Sequence, residues 1–303
     1  MTNLLQPDPT AIGDPSIPDF AVLPDPAALF VRRARRFEEL ALSSPIGPYL
    51  GFLAGLADAQ AAVLAELPEP VMPSAAVRAR ARDHEMPPLD RAAIGLDDVV
   101  ATTLHRLFDA AAGIAKPAAA AEALAAVTAS DRAGLGAMAG AVLAHAVPME
   151  RLAEHVYVAA GLELHVTRLA ARLEAAALVP VGEGACPACG GPPVASLVVE
   201  WPRAHGVRYC ACSLCNTLWN YVRIRCTCCG QTKGIGYQEI EDGPGTVKAE
   251  TCDNCRTYVK VLYQQKDPRL EPVADDVASL GLDMLMQEGP YRRAAFNPYL
   301  LGY

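Results

Sequence analysis

Four Cys-x-x-Cys pairs, Cys186/Cys189, Cys212/Cys215, Cys226/Cys229 and Cys252/Cys255, are the strongest constraint on how this chain can fold. Twenty-two residues separate the first pair from the second and the third from the fourth, and the whole pattern recurs at an offset of 40 residues. Gly190 and Gly230, Thr217 and Thr257, and Arg208 and Lys248 obey the same offset, and the turn-forming stretch 202–206 corresponds to 242–246. The region is an internal duplication.

Chain geometry gives a reason for the pattern. Two cysteines separated by two residues in a tight knuckle can aim both sulfurs at one ion. A glycine after the second cysteine lets the backbone turn back and point N–H groups at sulfur. A 22-residue excursion is long enough for a β-hairpin that returns a second knuckle opposite the first, and the product is a tetrahedral four-cysteine site. Two such sites are expected, with Cys186, Cys189, Cys212 and Cys215 in one and Cys226, Cys229, Cys252 and Cys255 in the other. This local pairing explains each 40-residue unit separately, and pairing across the two halves is the alternative. Thioredoxin-like redox pairs are disfavoured because no βαβ pattern surrounds them. Sulfur-only sites suit zinc or mononuclear iron, and a shell closed by four cysteines is structural or electron-carrying rather than hydrolytic. Cys210 and Cys228 align with Glu250 and Ala188, so both are expected to be packing residues or passengers, with a reactive-thiol role as the weaker alternative.

All ten cysteines follow Pro180, and the 303-residue chain changes character there. Ten cysteines are too sparse for a small secreted disulfide scaffold. Residues 1–25, rich in Pro and Asp, are expected to form an extended arm. From Asp25-Pro26, an N-cap with Pro at the first helical position, a helical domain is expected over 26–180. In its first helix Leu29, Phe30, Arg33, Phe37, Leu40 and Ala41 fall on one stripe with Arg33 at the edge, and further helices are placed near 46–67, 97–115, 118–128, 131–146 and 149–178. Short β-rich stretches follow at 194–201, 206–211, 217–225, 234–241, 246–251 and 257–264. Metal modules are expected at 181–225 and 226–267, and a last helix with its tail at 268–303. In that helix Val277, Leu280, Gly281, Met284 and Leu285 share a face. Asp275 and Asp276 lie near its start, where they complement the helix dipole rather than catalyse.

Several function classes are disfavoured. Arg32-Arg33 with Arg35-Arg36 could suggest a twin-arginine export signal, but Phe37, Glu38 and Glu39 do not begin an apolar core. These arginines are expected on an exposed helix face, and no signal peptide or membrane insertion is expected. The uncharged run Ala133–Met149 is too short to span a bilayer. A reducing, cytoplasmic location follows as an expectation, and in it paired cysteines bind metal more often than they form disulfides. Gly134 to Ala139 match G-x-G-x-x-A without a preceding strand, which disfavours dinucleotide binding. His145, His155 and His165 are ten apart and do not share a helix face. The chain carries a net charge of −8, and residues 181–267 hold nine Lys/Arg against eight Asp/Glu, too even a balance for a phosphate-tracking surface.

The cysteine-bearing segments CPACG at 186–190, RYCACSLCNTLWNYVRIRCTCCG at 208–230 and AETCDNCRTYVKVLYQQKDP at 249–268 resemble the formate dehydrogenase accessory (FdhE) proteins. So do VADDVASLGLDMLMQEGPYRR at 273–293, NPYL at 297–300, LFVRRARRFEELA at 29–41 and YLGFLAGLADAQ at 49–60. The resemblance implies a multidomain α+β chain: an N-terminal all-α helical bundle, two tandem rubredoxin-like or zinc-ribbon modules of four cysteines each, and a C-terminal helix. It implies a non-enzymatic, chaperone-like factor needed to form active respiratory formate dehydrogenase. Such a factor would bind the catalytic subunit in the cytoplasm before twin-arginine export. The eight paired cysteines would hold two mononuclear ions, iron favoured and zinc the alternative, and a homo-oligomer is possible. The rival readings are a rubredoxin-like electron-transfer protein and a zinc-ribbon nucleic-acid binder, the latter disfavoured by the charge balance.

Overall fold

The computed structural model describes residues 17–202 and 204–300, so most of the expected Pro-rich arm lies outside the described residues. A short strand, β1 (Ala21–Val22), precedes α1 (Pro26–Ala41), whose first N–H groups are capped by the Asp25 carboxylate at 3.1 and 3.3 Å. Helices α2 (Gly47–Val63), α3 (Ala75–Asp83), α4 (Asp98–Ala112), α5 (Ala118–Ala129), α6 (Arg132–Leu143) and α7 (Leu152–Ala170) follow. Helix α3 is not among those expected from sequence, although Ser74 caps it by accepting from the Val77 N–H. The helix expected over 149–178 ends at Ala170, where the N–H groups of Arg172 and Leu173 tighten to the carbonyls of Leu169 and Ala170.

Helix α7 is the axis of the helical body, buried almost throughout and packed by α2, α4, α5 and α6. A Cβ at Gly161 would collide with Leu104, so glycine sets the close crossing of α7 on α4. The stretch Gly47–Glu66 is long and apolar enough to cross a membrane by length and composition, yet half of it is buried, with Leu50, Leu53, Leu56 and Gln60 inside the body.

After α7 come β2 (Pro193–Trp201), β3 (Ala204–Cys212), β4 (Leu218–Asn220), β5 (Ile235–Gln238), β6 (Val247–Cys252) and β7 (Thr257–Tyr263). The C-terminal region then forms α8 (Pro272–Ala278), α9 (Leu280–Gln287) and β8 (Arg292–Arg293). The single last helix expected from periodicity is thus divided at Ser279, whose hydroxyl donates to the Asp275 carbonyl at 2.6 Å. One sheet runs β1-β4-β3-β2-β7-β6-β5, with β8 paired to β7. The two hairpins of the duplication, β2–β3 and β5–β6, are antiparallel, and β2 joins β7 in parallel through Ser196–Val198 and Val261–Tyr263. The repeats therefore follow one another head to tail in a continuous sheet.

Buried ion pairs lock the helices to this sheet. Arg33 and Arg36, expected on an exposed face, are only 1% and 8% exposed. Arg33 pairs with Glu163 of α7 and with Glu271 at 3.0 Å, and donates to the Asn216 side chain at 2.7 Å. Arg36 holds Asp275 through two nitrogens, at 2.6 and 2.9 Å. The spacing of four arginines could not reveal acidic partners 130 to 239 residues away. Burial alone would lower the Arg33 pKa, but Glu163 and Glu271 raise it, so the guanidinium stays charged. Asp275 and Asp276 do more than face a helix dipole. Asp275 accepts from the Glu271 N–H at 2.7 Å while Glu271 caps Val273 and Ala274, a reciprocal capping box. Asp276 is fully buried beside Lys260, Arg293 and Asn297.

Arg33→Ala leaves two carboxylates without their cation and should cost about 3–5 kcal/mol, against about 0.5 or less for the exposed Arg32→Ala; equal urea midpoints for the two variants would refute the assignment. Burial lowers the His165 pKa to about 4 against the opposing pull of Asp97, and its Nδ1 has no hydrogen-bond partner among the described residues. An imidazole whose folded pKa lies below its unfolded value of about 6.5 stabilises the fold above that pH and loses this contribution as pH falls toward 4. The drop in urea midpoint from pH 7 to pH 5 should therefore be smaller in His165→Gln than in the parent chain, and an unchanged drop would count against it.

Candidate metal centres

The duplication is visible in the backbone of the four knuckles. Gly190 and Gly230 adopt φ of +75° and +72°, which favours glycine, and each donates its N–H to the carbonyl of the first cysteine, at 2.8 Å in Cys186 and 3.0 Å in Cys226. The returning knuckles end at Asn216 and Arg256, which also match at an offset of 40 and have φ of +57° and +56°. Thr217 and Thr257 place their hydroxyls 3.2 and 3.0 Å from the sulfurs of Cys215 and Cys255. The arginine–lysine pair of the repeat has diverged: Arg208 is buried on Glu250 at 3.0 Å, whereas Lys248 reaches Glu239 at 2.9 Å near the surface.

The eight paired cysteines come together in two local groups, Cys186, Cys189, Cys212 and Cys215, and Cys226, Cys229, Cys252 and Cys255, with the sulfurs of each group within 4.8 Å of one another. Across the first group, Cys186–Cys215 and Cys189–Cys212 are 3.5 and 3.3 Å apart. Across the second, Cys226–Cys255 and Cys229–Cys252 are 3.6 and 3.7 Å apart. Four sulfurs each about 2.3 Å from a tetrahedral ion lie about 3.8 Å from one another. Backbone N–H groups of Leu214 and Cys215 point at the Cys212 sulfur at 3.4 Å, and that of Cys228 points at the Cys226 sulfur at 3.3 Å. Such donors spread the negative charge that four thiolates would carry. Both groups therefore suit a soft, tetrahedral ion, and neither offers an open ligand position.

The surroundings of the two groups differ. The four sulfur-bearing residues of the first are fully buried and belong to the main hydrophobic core. Arg91 reaches them from the helical body: a Cβ at Gly191 would lie 2.7 Å from Arg91 Nη1 and 3.5 Å from the Cys189 sulfur. The Arg91 Nη2 group also meets His145 at 2.8 Å, and His145 stacks on Phe296 with ring centroids 4.0 Å apart. Burial, with help from Arg91, lowers the His145 pKa to about 4, so the ring is neutral at ordinary pH. His155 and His165 lie within α7, and the G-x-G-x-x-A stretch lies within α6, capped by Asp131. Arg91 and Asn216 are not marked by any sequence motif. Asn216 leaves one usable trace, its place directly after a knuckle.

Family models for the FdhE N-terminal, central and C-terminal domains match residues 18–183, 185–223 and 224–300. The chain belongs to the FdhE family. An FdhE homolog of Rhizobium meliloti (strain 1021) is 50% identical over 301 residues, covering 99% of this chain and 98% of the relative. An FdhE homolog of Enterobacter sp. (strain 638) is 36% identical over 277 residues, covering 90% and 88%. The crystal structure of the FdhE protein from Pseudomonas aeruginosa matches with a TM-score of 0.84 at 32% identity, covering 94% of this chain and 99% of that one. The FdhE fold is thus the helical body with two four-cysteine groups expected from the cysteine motifs.

The two cysteines outside the repeat part company. Cys210 is buried in β3 with its sulfur 3.6 Å from the Ser196 hydroxyl, and burial raises its thiol pKa, whereas Cys228 is exposed. In protein carrying both ions, iodoacetamide should label Cys228 and spare Cys210, read by peptide mass spectrometry. Labelling of the two at similar rates would contradict this packing.

Proposed function

We propose that this chain is a non-enzymatic accessory protein of formate dehydrogenase. It binds the catalytic subunit in the cytoplasm and supports formation of the active enzyme before twin-arginine export. The observation that carries this reading is family membership across residues 18–300, from the helical body to the last turn. The two sulfur groups hold one mononuclear ion each, with Cys186, Cys189, Cys212 and Cys215 around the first and Cys226, Cys229, Cys252 and Cys255 around the second. Iron is favoured, with zinc as the alternative. Bound there, an ion supplies a cross-link that a small module lacking a large core needs. This chain's own residues then do the recognition: the helical body and the outer face of the sheet present a rigid surface to the partner.

A rubredoxin-like electron carrier is the second reading, favoured by the half-buried sulfurs of Cys229 and Cys255. The two readings differ in what deletion does. A strain lacking the protein should retain little formate dehydrogenase activity, and the catalytic subunit should copurify with the tagged full-length chain. Full activity in that strain refutes the accessory role. A reversible visible redox change in the purified protein, with no bound subunit, would favour the carrier. Metal analysis of the copurified sample should give two ions per chain.

A further inference from the structure

The two sulfur groups share a backbone design but not an environment, and the difference bears on how an ion would leave each. The first is clamped by the helical body at both knuckles. The Leu89 N–H donates to the Ala188 carbonyl at 2.9 Å, inside the knuckle of Cys186 and Cys189. Asn216, directly after Cys215, donates to Glu163 and Thr167 at 2.9 Å each and accepts from Arg33. All four cysteines there are 0% exposed. The second group has no such clamp from the helical body. The residue matching Asn216 is Arg256, which is exposed and reaches Asp253 of its own knuckle with its side chain at 3.7 Å. This knuckle is tied only to the nearby C-terminal segment, the Arg256 carbonyl accepting from the Arg292 N–H at 3.0 Å while Tyr291 donates to Asp253 at 2.7 Å. Cys229 and Cys255 are half-buried. A cleft of about 720 Å³ opens beside Cys255, with Arg256, Tyr258, Tyr291, Arg292 and Arg293 also in its walls.

We propose that the second group, Cys226, Cys229, Cys252 and Cys255, is the exchangeable metal site of the protein. Its ion is loaded and lost through the cleft at Cys255, while the first group holds its ion as a permanent part of the core. This rests on the reading that both groups hold metal. Exchange by a competing ligand needs an approach to the ion and room for one sulfur to swing away, and only the second group offers both. No change of oxidation state is required: an entering thiol gives up its proton as it bonds the ion, and the cysteine sulfur it displaces takes one up. The acceptor or donor of the ion is accordingly a soft-ligand carrier, such as a low-molecular-weight thiol, small enough to enter the cleft.

The test uses the full chain loaded with zinc and challenged, without denaturant, with the chromogenic chelator 4-(2-pyridylazo)resorcinol. One equivalent should leave at least about tenfold faster than the other, the scale on which surrounding contacts alter metal binding. Cys229→Ser should abolish the fast phase and keep the slow one. In the parent chain, N-ethylmaleimide added at the end of the fast phase should label Cys226, Cys229, Cys252 and Cys255 and spare Cys186, Cys189, Cys212 and Cys215. Release of two equivalents at one rate, or label on the first group, overturns the inference while leaving the metal reading intact. A chain that takes up fewer than two zinc ions at loading defeats the metal reading itself.

Discussion

A single buried guanidinium joins the parts of this protein. Arg33 leaves α1 and meets Glu163 of α7, Glu271 at the start of α8, and Asn216 beside the first sulfur group. Tyr299, near the C-terminus, adds its hydroxyl to Glu163 at 2.5 Å, and Gln60 of α2 approaches the same carboxylate at 3.4 Å. Taking such charges out of water costs several kcal/mol per ion, and the cost is recovered only when every donor and acceptor is met. A helical body docked one turn away would leave these groups unpaired. The network therefore contributes more to the choice of one arrangement than to net stability. It also explains why the first sulfur group sits inside the core: the chain carrying Asn216 has to reach α7.

The eight-cysteine constellation was legible in the sequence because its logic is local. A knuckle is set by neighbours, by a glycine at positive φ and by a hairpin of fixed length, and all of these repeat at the same offset. The capped start of α1 was legible for the same reason, since Asp25-Pro26 acts within one turn. The burial of Arg33 and Arg36, and the ion pairs that Asp275 and Asp276 add to their place near the helix start, are not legible in the sequence because the partners lie on other elements, and period alone sees only one element. Helix α3 went unread because none of its residues is buried. Without an apolar stripe it offered only its cap. The joining of the modules into one sheet was likewise invisible, since it depends on β2 and β7 finding each other across more than 60 residues, a pairing that no motif encodes.

Duplication kept what an ion demands and released the rest. Both knuckle glycines, both left-handed closing residues and both threonines hold the same places in each unit. The positions that face outward from the units have diverged according to what each unit touches. Asn216 is polar and neutral where it enters the helical body, and its counterpart Arg256 is charged where it meets water. Cys210 fills a buried place in β3, and its counterpart Glu250 instead receives Arg208 from the other unit at 3.0 Å. One copy has thus become an interior element and the other a peripheral one, without change to the sulfur geometry.

The continuous sheet sets the consequence of that split. Strand β7, which follows Cys255 directly, is hydrogen-bonded to β6 on one side and to β2 of the first unit on the other. Its outward anchor, Lys260, is fully buried and tied to Asp276 and Asp283 of α8 and α9. The bonds to β2 and through Lys260 hold β7 whether or not an ion bridges the second group, because none of them passes through a cysteine. The first group's returning knuckle is held by Ser213 on the Pro192 carbonyl and by β4, which pairs with β3 and β1, and the Arg33 network converges on the residue after Cys215. Loosening the first group would therefore release Asn216 and take a buried hydrogen-bond partner from each of Arg33, Glu163 and Thr167, whereas loosening the second leaves that network untouched. The physical cost of an empty site consequently falls in the core at one centre and only at the surface at the other.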